Sequence, residues 1–271
     1  MLITFDLDGV LQVNPFRRGV FPEVCGKIGE TLVEESGQEP RTASKRVMKM
    51  IREESRRRLL AGAYVDAYDW DDIILTVAKA VESPARFDIE QSVIKYCTPE
   101  YISSYPYAAS TLAELSSRGI RLAVVTNGFY KYQNPVMTGL GLRHFFDDFI
   151  TPEMIGTVKP YAAIYQAAVK GEPSVCLHVG DTIIHDVWGA DQAGFEPVWV
   201  VRDLAGDLAD LKPWERPTRP EVEVLMRKAF DSDSCPEAYP EARVEDCRAA
   251  YIIKDLSELL AVVEYAQRKV A

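Results

Sequence analysis

The sequence has no long hydrophobic run. None of its apolar stretches approaches the roughly 20 residues that a membrane-spanning helix needs, so no membrane partner is expected. The N-terminal stretch MLITFDLDGV lacks the basic and long apolar regions of a signal peptide. Cysteine is also scarce, because the five residues are far apart, odd in number and without a CxxC pair. These absences predict a cytoplasmic protein with reduced thiols.

Positive charge is in deficit. The chain has 271 residues, with 31 Lys and Arg against 41 Asp and Glu, which gives a net charge of −10. Nucleic acids and anionic membranes attract basic surfaces, so the composition argues against a general binder of either. Hydrophobic residues make up 47% of the chain, which excludes a disordered protein and allows one large domain or two smaller ones. An anionic substrate would therefore have to be attracted by local groups.

Two kinds of pattern alternate through most of the chain. Short apolar runs predict strands buried on both faces, as in a parallel sheet, at residues 2–5, 121–125, 175–179 and 197–201. Helical patterns follow at residues 110–117, 162–169 and 186–193. This alternation predicts an α/β fold with a doubly wound, Rossmann-like parallel sheet.

Residues 14–105 differ from the rest, because they carry helical patterns and almost no strand pattern. An apolar stripe with helical spacing runs from Trp70 to Val81. The run Arg56, Arg57 and Arg58 is predicted to be the solvated face of a basic helix. The pattern predicts that residues 14–105 form an all-helical domain inserted into the α/β core.

The core domain is then discontinuous. It comprises residues 1–13 and 106–271, and we expect the chain to pass between the two domains through proline-containing segments. Within it, residues 203–248 form a proline-rich extension that the α/β pattern does not account for. The extension could rim a pocket or form a contact between subunits, and the sequence decides neither its role nor the oligomeric state.

Polar side chains stand where the predicted strands end. They are Asp6 and Asp8 after the first strand, Thr126 and Asn127 after the second, Lys159 before the helix at 162–169, and Asp181 and Asp186 after the third strand. Ligands bind at the carboxyl ends of the strands in an open parallel sheet, so these residues should converge on one crevice. Clustered carboxylates suit Mg²⁺, whereas a hydroxyl, backbone amides and a lysine suit phosphate oxygens.

Four short motifs carry a resemblance to a known family. They are FDLDGV, VVTNG, VKP and VGDTIIHDVWGADQAGF, in this order and each at a predicted strand or helix boundary. In these motifs the sequence resembles the haloacid dehalogenase (HAD) superfamily. A helical insertion between the first and second motifs is similar to the superfamily's type-1 cap subclass. The resemblance implies a Rossmann-like core with a helical cap.

The resemblance also implies a reaction. Asp6 would attack phosphorus and form an aspartyl-phosphate, and Asp8 would act as general acid and then as general base. Dehalogenases of the superfamily lack the second aspartate, so the presence of Asp8 favours a phosphatase or a phosphomutase. The substrate implied is a small phosphorylated metabolite, with sugar phosphates, phosphoglycolate and nucleoside monophosphates all left open.

Roles for the other motif residues follow from the same resemblance. Mg²⁺ would be bound by the Asp6 side chain, the Asp8 backbone carbonyl and Asp181, with Asp186 as a direct or water-bridged contributor. A separate set would contact the phosphoryl group: Thr126 and Asn127 as ligands of its oxygens, and Lys159 as the charge that neutralises the transition state.

The insertion supplies candidates for substrate choice, because the core groups would recognise only phosphate and metal. Arg17 and Arg18 follow the first motif and are predicted to bind a second anionic group of the substrate, with plain solvation as the alternative. Two other functions remain open: a sugar phosphomutase and a non-catalytic protein that binds a phosphorylated ligand. The presence of both aspartates and the lysine argues against the non-catalytic reading.

Overall fold

The computed structural model describes residues 1–233 and 235–270. The chain divides into two compact units. The first, which we call the α/β unit, contains residues 1–12, 104–127 and the chain from residue 142 onward. The second, which we call the helical unit, contains residues 13–103 and 128–141. No helix in the described residues is long and apolar enough to cross a membrane.

Eight strands are present in the described chain. They are β1 (Leu2–Phe5), β2 (Gln12–Val13), β3 (Ser103–Ser104), β4 (Arg121–Val125), β5 (Asp148–Ile150), β6 (Cys176–Gly180), β7 (Glu196–Val200) and β8 (Tyr251–Ile253). Six of them form one parallel sheet in the order β5-β4-β1-β6-β7-β8, and β2 and β3 form a separate ladder. The register places Thr4 of β1 between Ala123 of β4 and His178 of β6. The carboxyl end of β1 therefore lies between those of β4 and β6.

Helices connect the strands and build the helical unit. They are α1 (Phe21–Ser36), α2 (Pro40–Leu60), α3 (Trp70–Ala80), α4 (Ile89–Lys95), α5 (Ala108–Ser117), α6 (Tyr130–Gly139), α7 (Pro152–Ile155), α8 (Ala162–Gln166), α9 (Gly189–Gln192), α10 (Asp207–Asp210), α11 (Pro220–Asp231) and α12 (Leu259–Val270). Two π-helical turns cover Phe16–Val20 and Ile183–Trp188. The second covers the first three residues of the helix predicted at 186–193, and α9 covers the next four.

The predicted fold class is confirmed, since the sheet is parallel and helices flank it. The four predicted strands are present within one residue of their expected bounds. Strand β5 was not anticipated, because it has only three residues and begins with the charged Asp148, which pairs with Arg121 of β4. All five cysteines are free thiols, as expected.

The helical unit has its own apolar core. The predicted stripe is confirmed: Ile73, Ile74 and Val77 of α3 are at most 3% exposed. Helix α6 also belongs to this unit, although the sequence places residues 128–141 with the core domain. The reason is local packing, because Tyr132 of α6 lies edge-on to Phe16 and donates a hydrogen bond to Asp71.

One expectation for this unit is wrong in part. Arg56 and Arg57 are exposed, but Arg58 is only 6% exposed. Its guanidinium donates hydrogen bonds to Glu54 at 2.8 Å and to Asp72 at 2.7 Å. Arg58 is thus a buried link between α2 and α3, because its position on α2 faces the start of α3.

The proline-rich extension packs onto the α/β unit. Arg216 is buried at 1% exposure and donates hydrogen bonds to both carboxylate oxygens of Glu258, at 2.6 and 2.9 Å. It also donates to the carbonyl oxygens of Leu208 and Ile252, at 2.9 and 2.7 Å. A single buried arginine therefore ties the extension to β8 and to the segment before α12.

Candidate active site

The turn after β1 presents two aspartates. The Asp6 amide donates a hydrogen bond to the Val179 carbonyl of β6 at 2.9 Å, which fixes the first aspartate at the end of the central strand. The chain then turns sharply, and the Leu7 carbonyl accepts hydrogen bonds from three following amides. Asp8 lies in this turn, where its carboxylate accepts a hydrogen bond from the Gln12 side chain at 3.2 Å. The turn places both carboxyl groups at the carboxyl end of the sheet.

Lys159 joins two carboxylates in the interior. Its Nζ lies 2.8 Å from Asp6 Oδ1 and 2.6 Å from Asp186 Oδ1. The residue is only 2% exposed. Asn127 fixes its backbone, because Asn127 Oδ1 accepts from the Lys159 amide at 2.7 Å and Asn127 Nδ2 donates to the Lys159 carbonyl at 3.1 Å. The ammonium is thus fixed between the predicted nucleophile and the last of the four aspartates.

Asp186 organises the loop after β6. Its Oδ2 accepts hydrogen bonds from the Thr182 amide at 2.9 Å, the Thr182 hydroxyl at 2.6 Å and the Asp181 amide at 3.2 Å. Its Oδ1 lies 3.1 Å from His178 Nε2, in addition to the lysine contact. Both oxygens are therefore engaged inside the protein. This one carboxylate determines the positions of Asp181 and Lys159.

Two glycines allow the turns to approach each other. A Cβ on Gly9 would lie 2.0 Å from Asp181 Oδ2, and a Cβ on Gly180 would lie 2.1 Å from the Cβ of Asp186. Gly9 also has a φ of +81°, in the left-handed region that glycine tolerates best. Side chains at these positions would displace the carboxylates.

The carboxylates form a set that fits a divalent cation. Asp6, Asp181 and Asp186 each offer one oxygen, and these oxygens lie within 4.8 Å of one another. Carboxylate oxygens are the donors that Mg²⁺ and Ca²⁺ prefer. The glycines leave room for Asp181 to reach the first turn, so the donor chemistry and the local space both suit such an ion.

The pKa values of the clustered carboxylates also favour a bound cation. Burial raises the pKa of Asp6 to about 6, although the charge of Lys159 opposes the shift. Burial, together with the charges of Asp186 and Asp6, raises the pKa of Asp181 to about 8. Burial would also raise the pKa of Asp186, but the Lys159 charge and the His178 hydrogen bond hold it well below its usual value. One ammonium does not offset three carboxylates, and a cation would supply the missing charge.

Burial alone would lower the pKa of Lys159, but the charges of Asp186 and Asp6 raise it above its usual value. The lysine is therefore a fixed cation at neutral pH. It acts as a permanent charge and donor, since it does not release its proton in this range.

The remaining predicted residues are divided between the two units. Thr126 follows β4, is 3% exposed, and donates a hydrogen bond from its amide to the Ile150 carbonyl at 3.2 Å. The α/β unit thus contains all the predicted core residues. Arg17 and Arg18 lie on the π-helical turn of the helical unit, where both are exposed. Their role in substrate binding stays a prediction.

Sequence reasoning missed three residues that support the site. Asp233 of the extension accepts a hydrogen bond from the Ile184 amide at 2.8 Å and lies 3.4 Å from His185 Nδ1. Trp199 of β7 donates its indole hydrogen to the Asp181 carbonyl at 3.1 Å. His178 lies 2.8 Å from the Thr4 hydroxyl and thereby faces Asp186. Only His178 had a signal, as a buried polar residue within a predicted strand.

Comparison with known proteins assigns this arrangement to a family. The model of the haloacid dehalogenase-like hydrolases matches residues 1–194, which include all of the predicted core residues. The glyceraldehyde 3-phosphate phosphatase of Methanothermobacter thermautotrophicus is 34% identical over 103 residues, which are 37% of this chain and 46% of that protein. The phosphoserine phosphatase of Thermus thermophilus is 32% identical over 155 residues, which are 56% of this chain and 51% of that protein. The chain thus spans about half the length of the curated relatives it matches.

Solved structures agree on the fold. A HAD phosphatase from Thermococcus onnurineus superposes with a TM-score of 0.66 at 23% identity, over 97% of each chain. The L-2-haloacid dehalogenase of Xanthobacter autotrophicus superposes with a TM-score of 0.55 at 18% identity, over 97% of this chain and 98% of that chain. Proteins with different reactions share the architecture, so the reaction must be argued from the site.

A substitution at Gly9 tests the close approach of the two turns. If the carboxylates bind Mg²⁺, the ion should raise the Tm of the wild type, and we expect Gly9→Ala to displace Asp181 and to abolish that rise, because its Cβ would lie 2.0 Å from the carboxylate. Gly194→Ala is the matched control: Gly194 has a φ of +80° and no atom near its Cβ position. Both variants carry about 1–2 kcal/mol of backbone strain. An unchanged Mg²⁺ effect in Gly9→Ala would contradict the proposed arrangement.

The pKa values predict how a cation stabilises the protein. Asp6 and Asp181 hold protons up to about pH 6 and 8 in the folded state, whereas unfolded aspartate loses its proton near 3.8. The stability of the metal-free protein should therefore fall as the pH rises from about 4 to about 8. A bound Mg²⁺ would replace those protons, so its effect on Tm should grow between about pH 5.5 and 8.5.

Thermal unfolding in Mg²⁺ and in EDTA measures this difference at each pH. Asp181→Asn removes the group with the pKa of about 8 and should flatten the upper part of the curve. A Mg²⁺ effect that is equal at all pH values would show that these carboxylates do not bind the ion.

Proposed function

This chain belongs to the haloacid dehalogenase-like hydrolases, and from that premise we propose that it is a Mg²⁺-dependent phosphatase of a small phosphomonoester. The observation that carries the proposal is the buried Lys159 ammonium, 2.8 Å from Asp6 and adjacent to a cluster of carboxylates. A nucleophilic carboxylate, a fixed cation and oxygen donors for a metal are the groups that phosphoryl transfer needs.

Asp6 is the proposed nucleophile. Its carboxylate attacks phosphorus, a bond forms between the aspartate oxygen and phosphorus, and the bond from phosphorus to the substrate alcohol breaks. The product is an aspartyl-phosphate at position 6. Lys159 contacts Asp6 directly, so it stabilises the negative charge that the phosphoryl oxygens carry in the transition state.

Asp8 is the proposed acid and base. It lies two residues beyond the nucleophile, and the hydrogen bond from Gln12 orients its carboxylate. In the first step Asp8 donates a proton to the departing alcohol oxygen. In the second it takes a proton from a water molecule, whose oxygen attacks phosphorus and breaks the bond to Asp6. A dehalogenation would not need this second carboxyl group, which supports the phosphatase reading.

Metal binding is proposed for the carboxylates of Asp6 and Asp181 and the backbone carbonyl of Asp8. When bound, Mg²⁺ would offset the repulsion between the anionic nucleophile and the anionic phosphate. Asp186 belongs to the same cluster, but both of its oxygens already accept hydrogen bonds. We therefore assign Asp186 mainly to positioning Lys159 and Asp181, with its charge contributing to cation affinity.

Phosphate binding is proposed for Thr126 and Lys159. The sequence also predicts phosphate binding for Asn127, but its side-chain amide is already hydrogen-bonded to the backbone amide and the backbone carbonyl of Lys159. Its side chain thus positions the lysine, and a contact with phosphate would come from its backbone amide. This assigns Asn127 a different role from the one that the motif alone suggests.

The substrate class is a small phosphorylated metabolite. The relatives named above are phosphatases of glyceraldehyde 3-phosphate and phosphoserine, both of which carry a short chain and a second polar group. Arg17 and Arg18 of the helical unit remain the proposed residues for a second anionic group. A cytoplasmic location is part of the proposal, since such metabolites are found there.

Phosphate release from a panel of phosphomonoesters tests the proposal. We expect release from the wild type in Mg²⁺ and none in EDTA, with glyceraldehyde 3-phosphate and phosphoserine in the panel. Asp6→Asn should lower kcat by at least about 10⁴-fold, because the nucleophile is lost. Asp8→Asn should lower it by about 10²–10⁴-fold, because proton transfer is lost.

Asp203→Asn is the matched control, since Asp203 is an exposed residue of the same unit and should retain full activity. Isomerised sugar phosphate in place of free phosphate would favour a phosphomutase. No product from any substrate would favour the non-catalytic reading and would contradict the proposal.

A further inference from the structure

The helical unit contains a groove of which only Arg17 has a role in the proposed function. It has a volume of about 590 Å³ and runs along helices α1 and α2. The apolar lining comes from Phe21 and Cys25 of α1, Met48 and Ile51 of α2, and Trp70 at the start of α3. Small-molecule sites have volumes of about 300–1,000 Å³ and mostly apolar linings, and this groove has both properties.

Four cations line the same groove. They are Arg17, Arg41, Lys45 and Arg52, and no acidic residue is among the lining residues. This is unusual in a chain with a net charge of −10. Arg41, Lys45 and Arg52 project from one side of α2, where they are spaced by four and seven residues. The span from Arg41 to Arg52 is about 16 Å at the rise of an α-helix.

Several other cations of the helical unit form ion pairs within the protein. Lys27 and Lys95 both pair with Glu23, and Lys49 pairs with Glu53. Arg57 and Arg58 pair with Glu54. Within the described residues, none of the four groove cations has such an ion pair. The groove therefore combines an apolar floor with a set of positive charges that the protein itself does not neutralise.

We propose that this groove binds an amphipathic organic anion, of the medium-chain carboxylate class, with its chain on the apolar floor and its carboxylate at the cationic rim. The charge of Arg52 lowers the pKa of the Cys25 thiol, against the larger raising effect of burial, and both residues line the groove. The groove shares only Arg17 with the residues proposed above for substrate choice, so the proposal does not rest on the phosphatase reaction.

The groove is concave, which favours a small ligand over a protein partner. Stable protein interfaces bury about 1,200–2,000 Å², whereas this feature has the volume of a single ligand site. The charge pattern also argues against a neutral lipid, since four cations around an apolar surface gain nothing from an uncharged head group. A carboxylate on an aliphatic chain satisfies both parts of the surface.

Isothermal titration of the full chain with dodecanoate, below the concentration at which it forms micelles, tests the proposal. We expect saturable binding of one molecule per chain. Dodecyltrimethylammonium has the same chain length with the opposite charge, and it should bind at least tenfold more weakly. The double variant Arg41→Glu, Lys45→Glu should weaken dodecanoate binding at least tenfold, because both residues are exposed and their reversal leaves the core intact.

Arg46→Glu is the matched control, since it makes the same charge change on the same helix outside the groove, and it should leave binding unchanged. Met48→Asp should abolish binding by placing a charge on the apolar floor, with circular dichroism as the check of folding. Three results would overturn the proposal: no saturable binding, equal binding of the cationic detergent, or equal affinity in the double variant. A dimer that buries the groove and that dodecanoate does not dissociate would also overturn it.

Discussion

The site depends on one buried ammonium shared by two carboxylates. Lys159 lies between Asp6 and Asp186 at hydrogen-bonding distances, where an unpaired charge would cost several kcal/mol. The lysine neutralises only part of the cluster, since Asp181 faces the same space and has a raised pKa. A divalent cation is the natural complement to this residual negative charge. The net charge of −10 is thus no obstacle to an anionic substrate, because the lysine and a bound divalent cation would together offset the three carboxylates of the crevice.

The strand order of the sheet brings the lysine and the carboxylates together. Because β1 lies between β4 and β6, the turn after β1 has neighbouring turns on both sides. Hydrogen bonds then set the details: Asn127 fixes the lysine backbone, Trp199 fixes the Asp181 carbonyl, and Asp233 of the extension fixes the turn that carries Asp186. The extension therefore contributes to the loop that contains Asp181 and Asp186, two of the carboxylates that could hold a cation.

Much of this arrangement could be predicted from the sequence, because its signals are local. Each of two apolar runs identifies a strand. The aspartate that follows the run, Asp6 or Asp181, is thereby placed at the carboxyl end of that strand. The rest depends on contacts that no local pattern encodes. Asp233 meets Ile184 across 49 residues, Arg58 is buried only because α3 packs beside it, and β5 depends on a pair between Arg121 and Asp148. Asn127 fits its motif, but only the structure reveals that its side chain is engaged by the Lys159 backbone.

The central claim is that Asp6 carries the phosphoryl group during turnover. The most direct measurement is to quench the protein during turnover, reduce it with borohydride and analyse its peptides by mass spectrometry. Borohydride converts an aspartyl-phosphate to homoserine, so the account predicts homoserine at position 6 and at no other aspartate. An unmodified Asp6 in a sample that is actively releasing phosphate, or homoserine at another position, would contradict it.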